Sequence, residues 1–335
     1  MKSILILAAA LLLAPLARAA ATPAATLNDT ARFLAGMPVD AHSPLAPLMQ
    51  DPAWKQHQGY FDSAWTKLDM RQLSKVREWT AENLHRRDDN VFYMFSGPDF
   101  LYADAFFPEA KNYVLVGIEP VGSVPDVTKL ALGDALYRVE GSLNSVLNYS
   151  FFQTKQMRED FSAAQINGTI PVLMVFLARS ERTITNITPI QPHGVRIDFN
   201  GGTLYYLSVD LENGSVEHSG LFDFCRKLGR GDSLLKSASY LPPEPSFSSI
   251  SNFLLAQSDL IVEDDSGIPY HMFNPAMWQV RLYGNYQAPI DIFKQFFQPD
   301  LANAFAQSAP QALPFGIGYR GWDPKKSALI VARHR

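Results

Sequence analysis

Cysteine is almost missing from this sequence: Cys225 is the only one in 335 residues. An intramolecular disulfide and a multi-cysteine metal site are thereby excluded. Any block of like charge is missing too, and Arg86-Arg87-Asp88-Asp89 cancels itself. A nucleic-acid surface needs a basic stripe, so no nucleic-acid partner is expected. Beyond the N-terminus no apolar run reaches the roughly 20 residues of a membrane-spanning helix. The motif inventory is also short. No histidine pair has the H-E-x-x-H spacing, no G-x-S-x-G elbow occurs, and no G-x-G-x-x-G run is present. The expectation is therefore a protein with no resident cofactor and no metal.

What is present begins at the N-terminus. Lys2 supplies a positive start, Ile4 to Leu16 form an apolar stretch interrupted only by Pro15, and Ala17-Arg18-Ala19 follows with the small-x-small pattern of a signal-peptidase site. Residues 1–19 thus read as a cleavable secretory signal peptide, with cleavage after Ala19 or after Ala21, because Ala19-Ala20-Ala21 fits as well. No cysteine follows the apolar stretch, so lipid attachment there is excluded. Loss of Lys2 and Arg18 lowers Lys+Arg from 29 to 27 against 33 Asp+Glu, leaving a mildly acidic chain. A lone cysteine and an Ala-rich signal fit a bacterial periplasmic or secreted protein, long enough to bury a large core without disulfide staples. The N-x-S/T triplets, such as Asn148-Tyr149-Ser150, are then incidental.

Residues 20–50 are rich in Ala, Pro and Thr without a sustained period and read as a flexible leader. Residues 51–335 read as one domain. Helical spacing from Tyr60 to His85 gives way to a strand at Val91–Ser96, a short helix at Asp99–Phe107 stopped by Pro108, and a strand at Tyr113–Glu119. Asp126–Phe161 has helical periodicity, and Pro171–Ala178, apolar throughout, reads as a strand buried on both faces. Val195–Phe199 and Thr203–Val209 flank Asn200-Gly201-Gly202, the chemistry of a β-hairpin turn. Further on come helices at Gly220–Leu228, Phe247–Gln257 and Ile290–Phe305, and strands at Leu234–Tyr240, Leu260–Glu263, Trp278–Tyr283 and Ser327–Ala332. This alternation predicts an α/β fold, a three-layer Rossmann-like arrangement with a mostly parallel sheet. Residues of about 183–210 form an antiparallel hairpin insertion in it, and the C-terminal strands are antiparallel.

Three polar clusters fall at predicted strand ends, where open α/β sheets hold their ligands. The first is Phe95-Ser96-Gly97-Pro98-Asp99, with Glu119 closing the next strand. Backbone amides opening the helix there suit an anion, while Asp99 equally suits a helix cap. The second is Lys236-Ser237-Ala238-Ser239-Tyr240, a polar pocket wall. Ser233-Leu234-Leu235-Lys236 matches S-x-x-K, but it runs through a β-type segment and its companion motifs are missing. The third is Glu263-Asp264-Asp265-Ser266-Gly267-Ile268-Pro269. It lacks the regular ligand spacing of a calcium loop, and His271 stands within reach of an acid/base pair with Asp265. Cys225, on an apolar helical face, reads as an inert core residue.

The spacing from Gly97 to Glu119, together with a final antiparallel pair ending in Leu329-Ile330-Val331-Ala332-Arg333, looks like the methyltransferase variant of the Rossmann fold. The runs Phe95-Ser96-Gly97-Pro98-Asp99, Ile118-Glu119-Pro120-Val121-Gly122, Lys236-Ser237-Ala238-Ser239-Tyr240-Leu241 and Asp264-Asp265-Ser266-Gly267-Ile268-Pro269 resemble a group of exported bacterial proteins, over roughly residues 90 to 335. That resemblance implies export and carries no assigned chemistry. The expected function is binding of a small polar ligand, or of a partner in the bacterial envelope, through Ser96, Asp99, Glu119, Ser239 and Asp264. The alternative is a periplasmic hydrolase or transferase using Asp265 with His271 or Lys236.

Overall fold

The computed structural model describes residues 26–84, 88–149, 166–191, 193–238, 241 and 245–335. The expected signal peptide lies outside the described residues, as does Ser239. The fold is α/β, built on one mixed sheet of nine strands in the order β3-β4-β5-β2-β1-β6-β7-β9-β8. The strands are β1 Asn90–Tyr93, β2 Asn112–Gly117, β3 Ile184–Ile190, β4 Gly194–Phe199, β5 Gly202–Ser208, β6 Gly231–Leu235, β7 Ser258–Glu263, β8 Trp278–Gly284 and β9 Ala328–His334. Strands β5, β2, β1, β6 and β7 run parallel at the centre. Antiparallel strands flank them, β4 and β3 on one side and β9 and β8 on the other.

The central strands carry runs of apolar residues between polar ends, buried on both faces because both sides of the sheet are covered. Their side chains alternate between two cores, as the two-residue period of a strand requires. Val91, Tyr93, Tyr113, Leu115, Leu234 and Val262 face one core, and Phe92, Val114, Val116, Leu235, Ile261 and Ile330 face the other. Helices α1 Leu27–Leu34, α2 Pro52–Leu68, α3 Ser74–Asn83, α4 Phe100–Phe106, α5 Leu132–Tyr149 and α6 Ile170–Arg179 contribute to the first core. Helices α7 Leu221–Leu228, α8 Ser248–Gln257 and α9 Pro299–Ser308 contribute to the second.

Four expectations change. Residues 26–50 are not a leader: Thr26 caps α1 by accepting from the Asp29 amide at 3.0 Å, and Ala31, Phe33 and Leu34 are fully buried. Trp54 donates to the Phe33 carbonyl at 3.2 Å and Arg179 to the Ala35 carbonyl at 2.9 Å, which ties residues 26–50 to the body. Pro171–Ala178 is a helix and not a strand. Proline is tolerated in the first turn, and α6 is apolar all round because it lies wholly buried against α1, α4 and α5. The hairpin at Asn200-Gly201 forms, with Gly201 at φ +96. Its second strand, however, is not part of an insertion: β5 pairs in parallel with β2 and belongs to the central sheet. Finally, Ile290–Phe305 is two elements, a 3-10 turn at Asp291–Phe296 and then α9, because Pro299 can begin a helix but not continue one.

Candidate functional site

The carboxyl ends of β1, β2, β5 and β6 surround a cavity of about 280 Å³. Its floor is the turn after β1. Ser96 Oγ accepts from the Val116 amide at 2.9 Å, and the Gly97 amide donates to the Val116 carbonyl at 3.2 Å, so the turn is stapled to the end of β2. Gly97 takes φ +53, a conformation that costs glycine nothing. Phe95 takes φ +59, which for a bulky side chain costs about 1–2 kcal/mol. Its ring is held edge-on to Phe247, with centroids 5.2 Å apart.

Asp99 is a cap, as its position before α4 suggested, and also half of an ion pair. One carboxylate oxygen accepts from the Tyr102 amide at 3.3 Å. The other accepts from the Tyr93 hydroxyl at 2.9 Å and lies 3.0 Å from Lys236 Nζ. Both charged side chains are almost completely buried, at 1% and 3% exposure. Lys236 Nζ also sits 4.1 Å from the centre of the Tyr102 ring, a cation–π contact. Burial, reinforced by the Asp99 charge, lifts the Tyr93 hydroxyl well above the ordinary tyrosine range, so it stays a hydrogen-bond donor. With Asp99 filling the helix opening, that end does not offer the anion site its amides suggested.

Glu119 reaches back from the end of β2 over two glycines. A Cβ on Gly117 would stand 2.3 Å from its Oε2, and one on Gly97 would stand 3.4 Å away. Gly117 is therefore glycine for want of space, not for its dihedral angles. Tyr206 of β5 donates its hydroxyl to Glu119, lying 3.1 Å from Oε2 and 3.0 Å from the main-chain oxygen. Burial and the adjacent carboxylate push that tyrosine well above its usual range.

After β6, Ser237 adopts φ +53. Its amide donates to Asp264 Oδ2 at 2.9 Å, and its carbonyl accepts from the Tyr319 hydroxyl at 3.1 Å. Its own Oγ is buried without a hydrogen-bond partner among the described residues. Asp264 sits behind this turn and does not line the cavity. Its oxygens accept from the Ser237 amide, the Ser266 amide at 2.9 Å and the Ser266 hydroxyl. Burial raises its proton affinity against those donors. Gly318 packs so closely on it that a Cβ there would overlap the carboxylate. Asp264 therefore holds the Ser237 turn in place.

Of the predicted residues, Ser96, Asp99, Glu119 and Lys236 converge on the cavity, and Asp264 supports its wall from behind. Asp265 and His271 do not join them. The turn after β7 buries Ser266 and Ile268, and a 3-10 turn at Tyr270–Met272 then carries the imidazole outward. His271 is 70% exposed, and its carboxylate neighbour is Asp300 at 3.8 Å, not Asp265. The Asp265–His271 acid/base pair is not formed. Cys225 is buried, and desolvation pushes its thiol up to about 12, the inert state expected of a core cysteine.

Sequence reasoning missed Asp210 and Glu212, which line the cavity beside Ile118, and the aromatic wall of Phe95, Phe247 and Tyr319. The two acids were within reach. They follow β5, and recognising β5 as a parallel strand places its carboxyl end at this same edge. The aromatic wall had no such signal, because Phe247 and Tyr319 arrive from distant parts of the chain. Comparison with protein-family models matches none, and a search of curated proteins finds no significant relative.

Proposed function

We propose that this chain is an exported bacterial protein that binds a small polar ligand at the carboxyl edge of a Rossmann-like, three-layer scaffold. The strand order supports the scaffold reading. The parallel run of β5, β2, β1, β6 and β7, with β9 reversed before β8, supports likening it to the methyltransferase variant of that fold, here without the glycine fingerprint. The N-terminal pattern of Lys2, the apolar stretch and Ala17-Arg18-Ala19 supports export.

The observation that carries the ligand reading is the convergence of separate strand-end clusters on one half-open cavity, two of whose wall residues, Phe95 and Ser237, are non-glycines held at positive φ. Strain of that kind persists only where surrounding structure over-determines it, and it gathers at binding and catalytic sites. Binding is favoured over hydrolysis or group transfer. Lys236 is engaged by Asp99, and His271 is turned away from Asp265.

Native mass spectrometry of the protein from a periplasmic fraction tests this. The expected species is a chain shortened by 19 or 21 residues that carries a small-molecule adduct lost on denaturation. A full-length chain confined to the cytoplasm overturns the export reading. A bare mature chain that no small molecule stabilises in a thermal-shift screen overturns the ligand reading.

A further inference from the structure

The mouth of the cavity is uneven. Its β5 side carries Asp210 and Glu212, both exposed to water. Across from them stands Tyr319, and Phe293 packs against that ring with centroids 4.9 Å apart. Phe293 belongs to residues 288–298, a segment tied along the carboxyl edge of the sheet at both ends. Arg320 donates to the Ala288 carbonyl. At the far end Gln298 accepts from the Tyr270 amide at 2.9 Å and donates to the Asp265 carbonyl, just past β7, at 3.1 Å. Between the ties runs Ile290-Asp291-Ile292-Phe293-Lys294-Gln295-Phe296-Phe297, and its 3-10 part, Asp291–Phe296, has no buried residue. Ile292 is 72% exposed and Phe297 44%. A single exposed apolar side chain needs no explanation, but a run of them held beside a cavity marks a binding surface.

Size points the same way. Sites that enclose a ligand hold about 300–1,000 Å³. This one holds about 280 Å³ and is half open, so a ligand larger than a head group continues past the mouth. On the β5 side it would meet carboxylates in water. On the Tyr319 side it meets an apolar shelf continuous with the cavity wall.

Resting on the ligand reading above, we infer that the ligand is an amphiphile, whose polar head enters the cavity and whose apolar chain leaves past Tyr319 to lie along the Ile292–Phe297 segment. Each methylene laid there takes apolar surface of both partners out of water, so affinity rises with chain length.

The test is titration calorimetry on the mature full chain with homologous series of neutral, anionic and cationic heads: 1-monoacylglycerols, alkanoates and alkylamines, butyl to decyl, kept below their micelle-forming concentrations. In a series whose head the cavity accepts, affinity is expected to rise about two- to fourfold per methylene, for burial in part or in full. Ile292→Ser should flatten that rise and leave the melting temperature of the free protein unchanged, because the side chain is exposed. Met277→Ser removes another exposed apolar side chain, just before β8 at the opposite edge of the sheet, and should leave the rise intact. A probe with a diazirine at its chain end should label the peptide holding Ile292–Phe297 on illumination. Affinity independent of chain length overturns the inference, as does a rise that Ile292→Ser leaves intact, or labelling confined to another surface. Adsorption to phosphatidylethanolamine–phosphatidylglycerol vesicles that Ile292→Ser abolishes, with no chain-length effect on the monomeric probes, makes the segment a membrane contact and overturns it too. If no series binds while native spectra still show an adduct, the amphiphile assignment falls and the ligand reading stands. If neither binding nor adduct is found, both fall.

Discussion

The two ends of the central parallel strands are built from similar residue types and put them to opposite use. At the amino-terminal end, polar side chains close the structure on itself. Asn90 donates to the Leu228 and Arg230 carbonyls at 2.9 Å, and Arg230 reaches Asp259 at 2.8 Å and the Ala256 and Ser258 carbonyls at 2.7 Å. The positive φ between α7 and β6 is taken by Gly229, at no steric cost. At the carboxyl end, positive φ falls on Phe95 and Ser237, a buried hydroxyl is left unmatched, and the side chains enclose a cavity. The two ends differ in kind: the amino-terminal end leaves one carboxylate oxygen of Asp232 unmatched among the described residues, whereas the carboxyl end holds Phe95 and Ser237 at positive φ beside a cavity. Positive φ on non-glycine residues beside a cavity is the feature on which the proposed ligand reading rests.

A buried carboxylate stands at each end: removing the cation that one depends on should destabilise, and neutralising the other should stabilise. The largest effect belongs to the carboxyl end. Lys236→Met leaves the buried Asp99 carboxyl group without its cation, a loss of about 3–5 kcal/mol for a broken buried pair. Urea unfolding should show it as a large fall in midpoint. Adding Asp99→Asn should recover most of the loss, because an uncharged amide needs no counter-charge and its one oxygen can still cap α4, with the amide NH2 turned to the Tyr93 hydroxyl oxygen. A double variant no more stable than Lys236→Met alone would show that packing of the lysine stem, not charge, holds this end together.

Asp232, at the amino-terminal end of β6, is the contrasting case. One of its oxygens accepts from the Asp88 amide at 2.9 Å, and the other is buried without a hydrogen-bond partner among the described residues. Burial first, then the Asp88 and Asp259 charges, raise this carboxyl to about 7. The folded state thus binds the proton more tightly than the unfolded chain, where an aspartate titrates near 3.9. Below about pH 4 both states are protonated and the group imposes no penalty. Stability is lost as pH rises from there to about 7, and above 7 the penalty is constant. Asp232→Asn should be neutral at pH 4 and stabilising at pH 8, by up to about 4 kcal/mol. Unfolding curves for both proteins across that range would check it. A variant destabilised equally at every pH would make the amino-terminal end as dependent on a buried charge as the carboxyl end.

The sequence made the site legible to the extent that its parts were local. Ser96 to Asp99 and Glu119 could be placed because each follows a short apolar strand and precedes a turn residue or proline, and the strand period then assigns their edge. Asp99 was readable as a cap because a cap depends only on the next three residues. The Lys236–Asp99 pair was not readable, since it joins β6 to the start of α4 across the sheet. Neither was the positive φ of Phe95 and Ser237, which is imposed by the stapling of their turns to Val116 and Asp264. In the fold, Pro171–Ala178 misled because a short run that is apolar at every position has no period. Strand and helix then differ only in what covers them, and here three helices do. The hairpin was correct as a turn and misplaced as an insertion, because turn chemistry fixes β4 against β5 but says nothing of what lies on the far side of β5.

The smallest expected effect marks how far the carboxyl-end site extends. His271 follows the acidic turn after β7 closely enough in sequence to be its acid/base partner, yet it is 70% exposed and 3.8 Å from Asp300. Exposed pairs of that kind contribute between nothing and about 1 kcal/mol, and a surface substitution away from special features stays within about 0.5 kcal/mol. His271→Ala should therefore leave the unfolding midpoint and the affinity for any ligand of the cavity unchanged, while Lys236→Met, directly after β6, alters the first severely. If His271→Ala instead weakens ligand binding without lowering stability, the functional edge reaches past β6 to the acidic turn. Asp264 would then be more than a support for Ser237, because the turn it organises would itself be touching the ligand.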